Sequence, residues 1–317
     1  MDFPSTQLEF ERRFSSEGDC IEYLRRLRWP DGFVCPRCGG RSCWRLTTRP
    51  RDQCSSCRHQ VSLTARTLFH GTRKPLLLWF RVIGRFVTSK SGCSALEISR
   101  LFGLNYETAW TWLHKIRALM DRSGGTPLAG FVEADETIIG GSKEGFRGRE
   151  LRTEKVVVLG AVERKGRGSG RLRLAVAVCS STAAISAFMG RSVSRGARIR
   201  TDGWHAYRAL GRLGFNHEWV KLSVSGRCQE SLKQASIELP GIHRAFGLLK
   251  RWLLGTYHGG VSRKHLPAYA DEFVFRFNRR RANSPFLLVR RVLESSFQRV
   301  PHGDAIVLHA PQLLGVG

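Results

Sequence analysis

Acid is scarce in this sequence: 26 Asp and Glu stand against 52 Lys and Arg in 317 residues, giving a formal net charge of +26. Such an imbalance sets up a long-range positive field and predicts salt-sensitive binding to a polyanion, nucleic acid above all. Long apolar runs are missing too. The most hydrophobic stretch, residues 75–87, is broken by Arg81 and Arg85, and residues 1–29 are charged throughout, which excludes a membrane span and a signal peptide. There is no amphipathic basic helix and no lipidation motif, so anionic lipid is a poor account of the charge. Internal repeats and low-complexity segments are absent. The nine cysteines are an odd number, and four have metal spacing, which argues against a disulfide framework and for a reducing, cytoplasmic setting. The length exceeds that of a usual single domain and suffices for a sizeable core.

Those four cysteines form two C-x-x-C knuckles, Cys35-Pro-Arg-Cys38 and Cys54-Ser-Ser-Cys57, 15 residues apart. Each knuckle lets two thiolates approach one tetrahedral ion, as in a Cys₄ zinc ribbon, and Gly39-Gly40 allows the tight turn after the first pair. Cys43 reads as a bystander and Cys20 as a buried residue of the preceding helix.

Two apolar/polar alternating runs each carry an acid: residues 131–139 carry Asp135, and residues 197–204 carry Asp202. The Asp202-Gly203 pair reads as a turn, which puts that carboxylate at the carboxyl edge of a strand, where open α/β sheets gather ligands. Between them, residues 155–163 and 171–179 flank the turn-rich residues 164–170 and read as a hairpin, followed by a short helix over 182–189. The order β, β, β, α, β with acids on the first and fourth strands is the RNase H-like arrangement. In so basic a chain, carboxylates at strand ends suggest divalent cations set against phosphate, the layout of a polynucleotidyl transferase or nuclease.

Residues 74–120 turn helical. Ala95, Ile98, Leu101 and Phe102 recur at helical spacing, Gly103 breaks the chain, and Asn105 is a natural N-cap for a helix carrying Ala109, Trp112, Leu113 and Ile116. Two short helices around a Gly turn read as helix-turn-helix, or else as a plain helical hairpin. In the first case Tyr106, Thr108, Thr111 and Lys115 face DNA. Further on, a helix over 239–255 places His243, Phe246, Gly247 and Lys250 on one face, able to meet metal or phosphate, although a lone helical His is more often structural. After a basic loop over 257–266, another helix interleaves aromatics with a basic run containing Arg279 and Arg280, which suits backbone contact with DNA.

The chain resembles bacterial insertion-sequence transposases with an amino-terminal zinc ribbon before an RNase H-like DDE-type catalytic domain. The resemblance is carried by Arg28-Trp-Pro-Asp-Gly-Phe-Val-Cys-Pro-Arg-Cys-Gly39, by Val132-Glu-Ala-Asp-Glu-Thr137 with Gly140-Gly141, by Thr201-Asp-Gly-Trp204 with Tyr207, and by His265-Leu266 with Tyr269 and Glu272 to Arg280. It implies a multidomain α+β protein: helix and zinc ribbon over 1–73, a helix-turn-helix-like region over 74–120, a linker over 121–130, an RNase H-like domain with a mixed sheet over 131–290, and a tail over 291–317. It implies structural Zn²⁺ on the four cysteines, and two catalytic Mg²⁺ ions, replaceable by Mn²⁺, on Asp135 and Asp202. Double-stranded DNA, as element ends and target, is the implied partner, bound by a homo-oligomer. The third acidic position departs from the pattern. Seven residues before Lys250, where a Glu is usual, stands His243, and Leu248 occupies the site where related members carry Asn. A neutral imidazole can still ligate a metal whereas Leu248 cannot, and Glu238 and Glu272 are the alternatives. Lys250 is expected to offset phosphate charge. A degenerate transposase acting as a repressor and a structure-specific nuclease of the same fold are the competing functions.

Overall fold

The computed structural model describes residues 3–46, 50–120, 125–140, 156–166, 168–220 and 237–298. Gly141, Lys155, Arg167, residues 121–124 of the expected linker and the tail beyond 298 lie outside the described residues. The described chain divides into two compact units, one running to Leu119 and resuming at Ala282, the other running from Met120 to Arg281.

The first unit begins with α1 (Gln7–Arg13) and α2 (Glu17–Arg28). Helix α2 starts where Ser16 and Asp19 satisfy each other's backbone N–H groups in a capping box. A three-stranded antiparallel sheet follows: β1 (Cys43–Leu46), β2 (Arg51–Cys54) and β3 (Gln60–Ser62). Asp52 on β2 is buried and takes a two-pronged bond from Arg25 of α2 at 2.9 and 3.1 Å, which ties the small sheet to the helix. Helix α3 (Leu76–Thr88) has Pro75 before it and no cap of its own, and Glu17 supplies one by accepting from the N–H groups of Leu76 and Leu77.

Helices α4 (Ala95–Phe102) and α5 (Tyr106–Met120) flank Gly103, which takes the left-handed conformation, and Asn105 accepts from Glu107 N–H. Two helices around a glycine turn fit both the helix-turn-helix and the plain helical hairpin expected here. A helix over Phe286–Gln298 packs on α2 and α3, with Phe286 against Phe10 of α1, so helical structure runs through the boundary expected at 290.

The second unit is built on a five-stranded mixed sheet of β4 (Phe131–Ile139), β5 (Val156–Lys165), β6 (Gly168–Ala177), β7 (Arg198–Asp202) and β8 (Asn216–Val220), ordered β6-β5-β4-β7-β8. The hairpin β5–β6 and the β4–β5 pair are antiparallel; β4–β7 and β7–β8 are parallel. This is the RNase H-like topology. Period-2 alternation sends Val132 and Ala134 to one face, into a core with α6 (Thr182–Ser192) and the 3₁₀ helix His205–Leu213. The other face is covered by α7 (Pro240–Tyr257) and by α8 (Leu266–Asn278), whose Phe273 and Phe277 pack with Val158, Val162 and Leu172.

Helix α7 runs past Gly255, the expected stop, and ends at His258 in the left-handed region (φ 50°). The third-to-fourth-turn contacts of Leu249 and Leu253 with the sheet core outweigh the modest helix cost of Gly255. Helix α8 stops at Asn278, so Arg279 and Arg280 lie just beyond it.

Candidate active site and metal centre

Strands β4 and β7 are neighbours and parallel, with Phe131, Val132 and Glu133 opposite Arg198, Ile199 and Arg200. Continuing that register two residues brings Asp135 beside Asp202, both on the α7 face, because the odd-numbered residues of β4 and the even-numbered residues of β7 point there. Burial first, and the Asp135 charge as well, push the Asp202 carboxyl up, while the Trp204 N–H and His243 pull the other way. Two carboxylates crowded in a half-buried place favour a cation between them.

His243 comes from the first turn of α7. Its Nε2 lies 3.2 Å from Asp135 Oδ2, yet that nitrogen is buried and makes no hydrogen bond among the described residues. A buried ring nitrogen without a hydrogen bond, aimed at a carboxylate, suits a site that a cation completes. The helix can come this close because Gly160 of β5 sits directly opposite Asp135: a Cβ there would meet Phe246 at 2.7 Å and Ile242 at 2.8 Å. Lys250 is exposed two turns along α7 from His243, about 10 Å down the axis.

The alternative acids have other neighbours. Glu238 faces Arg200 at 3.9 Å. Glu272 is fully buried, bonded to Arg276 at 2.8 Å and to the Tyr257 hydroxyl at 3.4 Å, an arrangement that neutralises it in place.

On the opposite face of β4, Glu136 accepts a 2.6 Å bond from the Tyr207 hydroxyl, and burial together with Asp135 and Asp202 pushes its carboxyl up to about 7. Sequence reasoning misses both this pair and the role of Glu133, which is buried two residues before Asp135. The signal that could find them is the presence of three acids, Glu133, Asp135 and Glu136, in a strand whose other residues are apolar but for Thr137.

In the ribbon, the Sγ atoms of Cys35, Cys38, Cys54 and Cys57 all lie within 4.8 Å of one another, with Cys35–Cys57 and Cys38–Cys54 both at 3.6 Å. A tetrahedral Zn–S₄ site with bonds of about 2.3 Å has S···S edges of about 3.8 Å, so the donor set fits zinc. The Cys57 and Ser56 backbone N–H groups pull the Cys54 thiol down to about 6, towards the thiolate a metal needs. Gly40 suits the closeness of the knuckles: a Cβ would stand 3.1 to 3.3 Å from Ser56 Oγ, Cys54 Sγ and Cys38 Sγ, tighter than ordinary contact. Cys43 pairs with Cys54 across β1 and β2 but lies outside the four-sulfur group, and Cys20 is buried on α2.

Of the residues expected to face DNA, Tyr106 is exposed, while Thr108, Thr111 and Lys115 are half-buried on α5; burial pulls the Lys115 ammonium down. Arg279 and Arg280 differ from a free basic run. Arg279 lies 4.2 Å over the Phe275 ring and donates to Phe275 O. Arg280 lies 4.1 Å over the Phe277 ring and donates to Phe277 O, Gly170 O and Ser169 O, bracing the β5–β6 hairpin.

Two family models match this chain. The ISXO2-like transposase domain covers residues 127–278, and the transposase zinc-ribbon domain covers residues 15–60. By these two matches the chain belongs to the insertion-sequence transposases with an amino-terminal zinc ribbon. The transposase domain spans the five-stranded sheet with α6, α7 and α8, and thus holds Asp135, Asp202 and His243. The zinc-ribbon domain of this transposase takes in α2 and all four cysteines. No curated protein matches the chain. Among the described residues, no helix is long and apolar enough to cross a membrane.

Proposed function

We propose that this transposase cleaves phosphodiesters at the ends of its element and joins them to target DNA, with Asp135, Asp202 and His243 holding Mg²⁺. The reading is carried by one observation: His243 Nε2, buried and without a hydrogen bond among the described residues, stands 3.2 Å from the Asp135 carboxylate. Mg²⁺ held by these residues would supply Lewis-acid activation of an attacking hydroxyl and charge stabilisation at the leaving oxygen. The chain's own residues then have separate tasks. Asp135 and Asp202 supply the hard oxygen donors, and His243, neutral, adds a nitrogen without adding charge. Lys250, exposed on the same helix, offsets phosphate charge along the bound strand. Zinc on Cys35, Cys38, Cys54 and Cys57 would hold the ribbon, whose small buried cluster among the described residues centres on Phe33, Cys35, Cys54 and Val61. Helices α4 and α5 present Tyr106, Thr108, Thr111 and Lys115 to the duplex, and a homo-oligomer brings two ends together.

Cleavage and joining of labelled duplexes carrying the element's terminal sequences test this. With Mg²⁺ or Mn²⁺, the parent cuts and joins, whereas Asp135→Asn or Asp202→Asn binds the duplex and does neither, because each removes one anionic ligand from a net-positive protein. A variant that cleaves near the parent rate removes its acid from the site. Binding without cleavage by the parent points to the repressor, and cleavage without joining to the nuclease.

A further inference from the structure

Helix α7 begins with a problem. The N–H groups of Gly241 and Ile242 need acceptors, the N-cap Leu239 has no side-chain acceptor to offer, and Pro240 has no N–H to give. The acceptor comes from the sheet. Glu133 is 2% exposed, and its Oε2 accepts from both Gly241 N at 2.7 Å and Ile242 N at 3.0 Å. Its other oxygen meets Arg164 Nε of β5 at 3.1 Å. Glu133 and Asp135 project from the same face of β4, two residues apart, and Ile242 is followed directly by His243. The strand that carries the metal-binding acid thus also grips the helix turn that carries the imidazole.

We propose that Glu133 is the positioning residue that sets His243 against Asp135, by pinning the first turn of α7 to β4. The fit leaves little slack. A Cβ on Gly241 would stand 2.8 Å from Glu133 Oε2 and 3.0 Å from Arg164 Cδ, so only glycine admits the carboxylate. An anion at this end also complements the helix dipole, and Arg164 keeps the buried charge paired. The proposal rests on the reading of His243 as a metal ligand, and it is tested by quantities that do not depend on turnover.

Because both helix bonds go to one oxygen, the carbonyl of Glu133→Gln can keep them, whereas Glu133→Ala loses them. Three readouts apply: the rate at which diethylpyrocarbonate modifies His243 in metal-free protein, followed by mass spectrometry; Mn²⁺ affinity by calorimetry; and the thermal midpoint. Glu133→Ala is expected to expose His243 to faster modification and to weaken Mn²⁺ binding by about 10-fold or more, the usual effect of losing a residue that orients a ligand. Glu133→Gln should stay near the parent in both. Gly241→Ala should behave as Glu133→Ala although it raises helix propensity, and it carries the test if Glu133→Ala does not fold.

The proposal is overturned if the Ala and Gln variants of Glu133 behave alike. It also falls if the midpoint drops while His243 reactivity and Mn²⁺ affinity hold. The ligand reading is separable. If His243→Ala leaves Mn²⁺ affinity unchanged but Glu133→Ala still frees the ring, positioning stands and the ligand assignment fails. If His243→Ala weakens Mn²⁺ binding but Glu133→Ala leaves the ring protected, the ligand assignment stands and positioning by Glu133 fails.

Discussion

Replacing Gly160 by Ala should damage the acidic site without touching any acid. Gly160 lies in the middle of β5, directly opposite Asp135, and faces α7. The added methyl would meet two Phe246 ring carbons at 2.7 Å and Ile242 Cδ1 at 2.8 Å, well short of ordinary contact at 3.4 Å. Phe246 and Ile242 are both buried, so neither ring nor methyl can swing into solvent. Either the helix lifts or both side chains leave their preferred rotamers, and overpacking of this kind costs about 1–3 kcal/mol. Relieving the contact from 2.7 Å to the ordinary 3.4 Å needs a shift of several tenths of an ångström, and in a catalytic site misplacement by about 1 Å can cost about 100-fold in rate. The urea midpoint should therefore fall, and Mn²⁺-dependent cleavage should fall further than the lost stability explains, measured without denaturant at a temperature where the variant is fully folded. A Gly160→Ala protein with parental cleavage and Mn²⁺ affinity would refute the claim that close helix approach builds the site.

Three other outcomes follow from the same geometry. Protein purified without chelator should carry one Zn²⁺ per chain by elemental analysis, and Cys54→Ser or chelation should release it and unfold the ribbon locally, seen as lost amide protection in residues 33–61. DNA affinity should fall steeply between low and physiological salt, because the release of counterions from phosphate favours binding less as salt rises; a nearly flat slope would assign the +26 charge to another purpose. Arg280→Ala should destabilise the β5–β6 hairpin and lower the thermal midpoint while leaving the salt slope of DNA binding nearly unchanged, since its guanidinium is committed to Phe277, Gly170 and Ser169.

Much of this is legible in the sequence because local rules and global fold agree. The knuckle spacing, the Gly103 and Asn105 punctuation, and the alternation of residues 131–139 each follow from covalent geometry, and they map onto the four-sulfur group, α4–α5 and β4. What escapes is non-local. Strand β8 is short and polar, Asn-His-Glu-Trp-Val at the sheet edge, and gains its structure from pairing with β7 rather than from its own pattern. Helix Phe286–Gln298 straddles the end of the RNase H-like domain and the start of the tail as read from sequence, and what holds it is the distant ring of Phe10 against Phe286. The arginines after α8 look like a free basic run, yet aromatic rings one turn back and carbonyls of a distant hairpin claim them. Glu133 is visible as a letter in a motif, and its role needs the end of a helix more than 100 residues later.

The third ligand is the place where sequence and geometry can be set against each other most sharply. His243 stands where an acid is usual, and a neutral nitrogen is a poorer donor than carboxylate for a hard cation such as Mg²⁺. The position is nonetheless beside Asp135, so an acid in the same place has the reach to join the site. His243→Ala should weaken Mg²⁺-dependent cleavage, and His243→Glu should preserve or raise it while shifting preference from Mn²⁺ towards Mg²⁺. Glu272→Gln should instead act on stability, because it strips a fully buried carboxylate of the charge that Arg276 balances. Glu238→Gln should do little, because its partner Arg200 lies at 3.9 Å on a partly exposed surface. Comparing the four variants for cleavage at saturating Mg²⁺, alongside their thermal midpoints, separates ligand from scaffold. Should Glu238→Gln or Glu272→Gln abolish cleavage in a stably folded protein while His243→Ala retains it, the ligand is that glutamate, and the contact between His243 and Asp135 is a packing feature of α7.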